Sequence, residues 1–211
     1  MSDIRQEMCA VIDELVGLQL ITATGGNVSA RTGDDPSQAW ITPSGMYKGA
    51  LSPEMLVRVD REGRPAYGGQ RAPSSEWLIH AAILRARPDV TAVVHCHAPK
   101  ATTLVNCDLP FLPISTESAF LARTGRIPFI MPGTDALAAA LVAALGQGWA
   151  VLMKNHGLLV AARSLRRAAD ITQIVERTAD ILLGCHAVGR TPPVLPAEIV
   201  EALASKRDLM A

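Results

Sequence analysis

Two histidines one residue apart, His95 and His97, and a third at His156 are the side chains of this sequence best placed to hold a divalent cation. Side chains at i and i+2 of an extended segment leave the backbone on the same side. His95 and His97 therefore project together from Thr91–His97, a β-branched and apolar run that reads as a buried strand. Cys96 then faces the opposite layer and reads as a small core residue rather than a ligand. His156 lies in Asn155-His156-Gly157 between two apolar runs, and a three-residue loop ending in glycine is a hairpin signature. A histidine at that apex could close a three-imidazole site. Three protein nitrogens leave a coordination position open, the arrangement of catalytic rather than structural zinc. Alone, an H-x-H pair is also what an ordinary strand can carry, and His156 also reads as an exposed loop residue.

Ser74 and Ser75 precede a helix expected over Glu76–Arg87 and stopped by Pro88. Glu76 would then sit in the first turn, where unpaired N–H groups and the dipole favour an anion. A plain capping glutamate has the same signature. Gly25-Gly26-Asn27-Val28-Ser29 and Thr42-Pro43-Ser44-Gly45 share that ambiguity, because glycines let a backbone approach an anion closely but also simply make turns.

The elements that must position these residues can be read from the pattern. Ile4, Met8, Val11, Ile12, Leu15 and Val16 recur at helical spacing over residues 3–20, behind Ser2 and Asp3. Short strands are expected at Asn27–Arg31, Ala39–Thr42 and Val57–Asp60, the last ended by a turn at Glu62-Gly63. Thr134–Leu145 reads as a helix, Ala150–Lys154 and Leu158–Ala162 as the two arms of the hairpin, and Ser164 opens a long helix to about Val188. A proline-rich tail ends in a short helix near Pro196–Leu209. Strands and helices alternating irregularly around a hairpin call for a mixed, largely antiparallel sheet covered by helices on both faces, an α/β fold. With no internal repeat or dividing linker, residues 1–211 form one domain, and a chain that is 49% hydrophobic can fill its core.

Twenty basic and twenty acidic residues cancel, and no Lys/Arg cluster stands out, so nucleic acid and anionic membrane are not expected partners. An anionic ligand would have to be held locally. No apolar run approaches the roughly 20 residues of a membrane span, and the polar start, Met1–Glu7, is unlike a signal peptide. Cys9, Cys96, Cys107 and Cys185 form no CxxC pair and read as reduced thiols in a cytoplasmic protein.

Gly26-Asn27-Val28-Ser29, Thr42-Pro43-Ser44-Gly45, Pro73-Ser74-Ser75-Glu76, His95-Cys96-His97 and Asn155-His156-Gly157 occur in the order and approximate spacing of the class II aldolase/adducin family. The chain resembles that family from about residue 5 to residue 190. Each motif is weak alone; together, in register, they are specific. The resemblance implies a three-layer α/β/α fold, a C4 homotetramer and an active site at a subunit interface. It implies a zinc ion, or another divalent metal such as Mn2+ or Co2+, on His95, His97 and His156. Glu76 would be the proton acceptor and a possible fourth ligand. It also implies a substrate phosphate against Gly26, Asn27, Ser44, Gly45, Ser74 and Ser75.

A divalent cation held by a hydroxyl–carbonyl pair polarises the carbonyl and stabilises the enediolate that forms. Burial of Glu76 beside the substrate anion is expected to raise its pKa toward neutrality. The leading expectation is a zinc lyase that performs aldol cleavage on a small hydroxy-carbonyl compound or sugar phosphate. Decarboxylation and epimerisation pass through the same intermediate, dehydration is an alternative on the same scaffold, and adducin-like members keep the fold as an interaction module. Intact histidines and Glu76 favour an enzyme, since a scaffold has no need of ligands. One departure concerns the fuculose-phosphate aldolase of the family, which uses a tyrosine after the H-x-H segment to protonate the outgoing alkoxide. This chain has only Tyr47 and Tyr67, neither of them there, and carries Pro113-Ile114-Ser115-Thr116-Glu117-Ser118 instead. Glu117 is a candidate acid in that segment, though it also reads as a solvated loop residue. Arg123 and Arg126 are candidates for a carboxylate or for a neighbouring subunit's acids. His80, one helical turn after Glu76, reads as a helix-surface or supporting residue, and His186 as the end of the long helix.

Overall fold

A computed structural model describes residues 3–66 and 71–206. Ser2, Tyr67 and the tail-helix expectation beyond residue 206 lie outside the described residues. Seven strands form one sheet: β1 (Asn27–Arg31), β2 (Ala39–Ile41), β3 (Val57–Val59), β4 (Ala92–Cys96), β5 (Gly125–Ile127), β6 (Ala150–Met153) and β7 (Gly157–Ala162). Their spatial order is β3-β2-β1-β4-β7-β6-β5. Only the β5–β6 pair is parallel; the others are antiparallel.

The helices are α1 (Ile4–Gly17), α2 (Trp77–Ala86), α3 (Pro99–Asn106), α4 (Thr116–Phe120), α5 (Asp135–Leu145), α6 (Leu165–Ala187) and α7 (Ala197–Ser205). α1, α3 and α6 pack together, α6 against β4 and β7; α2 and α5 pack on each other and reach the sheet through β4, β5 and β6. The expected mixed sheet between helical layers is therefore the fold. β4 and β7 are its centre, and all eleven of their residues are buried, as a strand covered on both faces requires.

Local chemistry explains the boundaries. Asp3, Thr134 and Ser164 accept from the N–H groups of Arg5, Leu137 and Arg167, each capping the helix that follows it. α1 stops at Gly17, short of residue 20, because Gln19 turns left-handed with φ 59° and Leu20 N–H donates back to Leu15. α2 begins at Trp77, one residue later than expected. Ser44 N–H donates to Ala72 and Ser74 N–H to Thr42, which keeps the chain extended up to Ser74. The hairpin loop is Lys154–His156 rather than Asn155–Gly157, with Asn155 at φ 55° and Gly157 already in β7. Between His97 and Thr134 the chain adds α3, opened by Pro99, then α4 under a Ser115/Ser118 capping box, then β5.

Candidate metal centre

β4 carries His95, and His97 follows immediately after the strand ends, where its N–H donates to Leu20. The β6–β7 hairpin brings His156 up beside them. The pairing His95↔Leu159 and Met153↔Gly157 fixes that approach, since β7 lies between β4 and β6. Ring centroids are 5.1 Å apart for His95–His97, 4.7 Å for His95–His156 and 5.8 Å for His97–His156. One nitrogen from each of the three imidazoles falls within 4.8 Å of the others. Gly157 makes this possible: a Cβ there would lie 2.3 Å from the carbonyl oxygen of Cys96, so any side chain would push β7 away from β4. Cys96 itself is fully buried away from the cluster, its thiol pushed up to about 12 by desolvation. It is no ligand here.

Glu76 is the N-cap residue of α2, not a first-turn residue, and its side chain makes no cap bond. It reaches instead into the cluster, with Oε2 3.3 Å from His95 Nε2 and Oε1 3.1 Å from His156 Nε2. Its carboxyl is not raised. Burial pushes it up, but in the metal-free site the imidazoles of His156 and His95 in their protonated form and an amide hydrogen from Asn27 outweigh that and hold it well below the usual carboxylate range. The expectation of a raised value concerns the carboxylate beside a substrate anion; in the ligand-free site polar partners outweigh desolvation.

The polar accounting shows what these residues fit. His95 Nδ1 lies 3.0 Å from the carbonyl oxygen of Leu158, which can only accept, so Nδ1 carries the proton and Nε2 a lone pair. That lone pair faces a carboxylate oxygen. Buried His95 Nε2, His156 Nδ1 and Glu76 Oε1 have no hydrogen-bond partner. Buried polar atoms of a native fold are almost always satisfied, and a cation among them would satisfy lone pairs that cannot satisfy one another. His97 is pushed down to about 4, first by burial and then by the neighbouring His95 and His156, which keeps it in the neutral form that ligates metals. The three imidazoles and the carboxylate fit a divalent metal.

The segments expected to hold a phosphate converge on one side of Glu76. Thr42 ties them: its N–H donates to Val28, its hydroxyl accepts from Val28 N–H, and its carbonyl accepts from Ser74 N–H. Ser44, Gly45 and Ser75 are exposed, whereas Ser74 is buried and accepts from Glu76 N–H. Gly26 has φ 82°, and a Cβ there would crowd the His95 carbonyl at 3.0 Å, a sufficient reason for glycine. Asn27 differs from the expectation, since its side-chain amide is committed to Glu76 and His80. Behind the turn lies Lys48, outside the five sequence motifs. It is 2% exposed, its ammonium donates to the carbonyls of Pro43 and Met46, and burial lowers its pKa.

Other candidates stand apart. Glu117 is exposed in the first turn of α4, with no hydrogen bond. Arg126 pairs with Asp108 of its own chain, which also binds Lys154. His80 is not on the helix surface at all; it is buried at 2% exposure against β1. His186 is exposed in the last turn of α6. All four thiols are unpaired, and no helix among the described residues is long and apolar enough to cross a membrane.

The Class II Aldolase and Adducin N-terminal domain family matches residues 6–183. A 5-methylthioribulose-1-phosphate/5-deoxyribulose-1-phosphate aldolase of Rhodospirillum rubrum is 35% identical over 196 residues, covering 92% of this chain and 86% of that protein. A 5-deoxy-D-ribulose 1-phosphate aldolase of Bacillus thuringiensis is 32% identical over 203 residues, covering 96% and 94%. Among solved structures, an L-fuculose 1-phosphate aldolase superposes with a TM-score of 0.87 at 32% identity, covering 99% of this chain and 97% of that one.

Proposed function

The chain belongs to the class II aldolase and adducin N-terminal domain family, and from that premise we propose that it is a zinc aldolase cleaving a ketose 1-phosphate between C3 and C4. Its enzyme class, an aldolase-type lyase, follows from the family and from relatives named as aldolases. His95, His97 and His156 would hold the zinc, with Glu76 beside it. The observation that carries the reading is that three residues gathered in one cluster, His95, His156 and Glu76, each keep a buried polar atom (Nε2, Nδ1 and Oε1) with no hydrogen-bond partner.

A bound divalent metal would supply Lewis-acid polarisation of the substrate carbonyl. The chain's own residues do the rest. Glu76, ionised by its surroundings, is in the state a base needs. In the addition direction it takes a proton from C3 of dihydroxyacetone phosphate, and the aldehyde oxygen becomes the C4 hydroxyl as the C3–C4 bond forms. In cleavage the C4 hydroxyl gives up its proton as C3–C4 breaks, and Glu76, having received that proton, delivers it to C3. Exposed Ser44, Gly45 and Ser75, with Gly26 and Ser74 beside them, form the binding place for the phosphate. Asn27 contributes through its main chain, its amide being committed. Lys48 adds a buried positive charge behind that turn without making the surface basic.

The substrate class we favour is a 5-deoxypentulose 1-phosphate, the kind named for two of the relatives. The absence of a tyrosine from residues 113–118 weakens the alternative of L-fuculose 1-phosphate. Cleavage of 5-deoxyribulose 1-phosphate gives dihydroxyacetone phosphate and acetaldehyde, so the atoms to be bound and polarised are the same three carbons in every candidate. We further place the enzyme in the cytoplasm as a C4 homotetramer; light scattering that returned a monomer at micromolar concentration would contradict the assembly.

The direct test incubates zinc-loaded protein with 5-deoxyribulose 1-phosphate and with L-fuculose 1-phosphate and follows released dihydroxyacetone phosphate. Release from the first, faster than from the second, lost on chelation and restored by zinc, is expected. No release from either would overturn the reading.

A further inference from the structure

His80 has no part in holding a metal, yet it is buried completely and both its ring nitrogens are engaged. Nδ1 is 2.7 Å from Ser29 Oγ on β1. Nε2 is 2.5 Å from Asn27 Oδ1, and Asn27 Nδ2 in turn donates to Glu76 Oε2 at 3.0 Å. The direction of every hydrogen in this chain is determined. A carboxylate only accepts, so the amide nitrogen of Asn27 must face Glu76 and its oxygen must face His80. His80 Nε2 therefore carries the proton, Nδ1 carries the lone pair, and the Ser29 hydroxyl donates to it. Burial disfavours the imidazolium and pushes the group down to about 3, so one neutral tautomer prevails.

We propose that His80 is a positioning residue for the acid/base Glu76, locking the amide of Asn27 and through it the carboxylate oxygen Oε2. An unsupported asparagine can turn its amide over and present an oxygen to the carboxylate; with His80 Nε2–H in place that flip would set a donor against a donor and an acceptor against an acceptor. Oε2 is thereby fixed, and with it the plane in which the Glu76 carboxylate is presented. Glu76 and His80 lie one turn apart at the start of α2, so the two ends of the link share one rigid element. The far end borders a cavity of about 680 Å³ lined by Ser29, His80, Trp77 and Leu84 among others, and by none of His95, His97, His156 or Glu76. His80 thus acts without touching substrate.

This inference rests on Glu76 being the proton carrier of the proposed aldolase. Its test uses the zinc-loaded protein and dihydroxyacetone phosphate, reading exchange of the C3 hydrogen with deuterated water by NMR, together with zinc content. His80→Leu should keep its zinc and its KM and lose roughly 10–100-fold in the exchange rate, the usual cost of removing a group that orients a site residue. His80→Gln, whose amide N–H can still reach Asn27 Oδ1, should recover most of the loss. Exchange in His80→Leu equal to wild type, or no recovery in His80→Gln, would overturn the proposal. Nitrogen NMR of wild-type His80 judges it independently of any variant's folding: protonated Nε2 is expected, and protonated Nδ1 would sink it. A wild-type protein that neither exchanges nor cleaves would count against the aldolase reading, while the tautomer would still decide the link.

Discussion

The Nδ1–H of His95 is fixed on the carbonyl oxygen of Leu158, 3.0 Å away across the β4–β7 pair. A backbone contact of the sheet's central strands thereby selects the tautomer, and leaves Nε2 as the nitrogen offered to a cation. Metal-ligating histidines commonly have their other nitrogen tied in this way.

Because the three imidazoles come from a strand, its end and a hairpin apex, none can be replaced by a neighbour. Purified protein should carry about one divalent ion per chain, and His156→Ala should lose it while keeping the fold. Elemental analysis checks this; full occupancy in the variant would refute the ligand assignment.

Glu76→Gln keeps the shape and the amide contact with Asn27 but cannot take a proton. Zinc content should be near normal, a non-reactive enediolate mimic should still bind, and turnover should fall by roughly 10²–10⁴. Steady-state kinetics with metal analysis would show it. Wild-type turnover would mean that the proton is carried by another group, and loss of zinc would make Glu76 chiefly a ligand.

Acid should destabilise the metal-free protein through His80. Its folded pKa, about 3, lies below its reference value of 6.5, so between those values the unfolded chain holds a proton that the folded one does not. Stability is then full above pH 6.5 and falls as pH drops toward 3, by a total on the order of a few kcal/mol. Urea midpoints of chelated wild type against His80→Gln measure the difference. A wild-type profile no steeper than the variant's between pH 6 and 4, taken as roughly the middle of that window, would contradict the assignment.

Gly157→Ala places a methyl 2.3 Å from the Cys96 carbonyl, backbone that cannot swing aside. Overpacking of this kind costs about 1–3 kcal/mol, and here it also moves His156 relative to His95. We expect a lower urea midpoint together with weaker zinc binding. A variant that lost stability but held zinc as tightly would show the hairpin adjusting independently of its histidine.

The closeness of His95, His97 and His156 is legible in the sequence because H-x-H spacing and hairpin length are local rules, although β4 stops at Cys96 and His97 lies just beyond the expected strand. The helix caps at Thr134 and Ser164 are legible for the same reason. What was not legible depends on partners distant in sequence. His80 shares a helix face with Glu76, but its burial is set by Ser29 and Asn27 on a strand some fifty residues away. The Glu76 pKa is expected to rise beside a substrate anion, and the imidazoles that pull it down in the ligand-free site arrive from β4 and the hairpin. β5, three residues reading Gly-Arg-Ile, has no alternation to announce it and exists because β6 offers a free edge.

The strands at the two ends of the sheet, β3 and β5, have only three residues each, and Pro65 bridges to Val59 on the β3 side. Such brief margins offer few unpaired N–H and C=O groups to a second copy, a recognised defence against strand-by-strand growth into fibres. Copies of this chain therefore have little to gain from joining sheets end to end. The sheet that carries the histidines is thus guarded at both margins against pairing with another sheet.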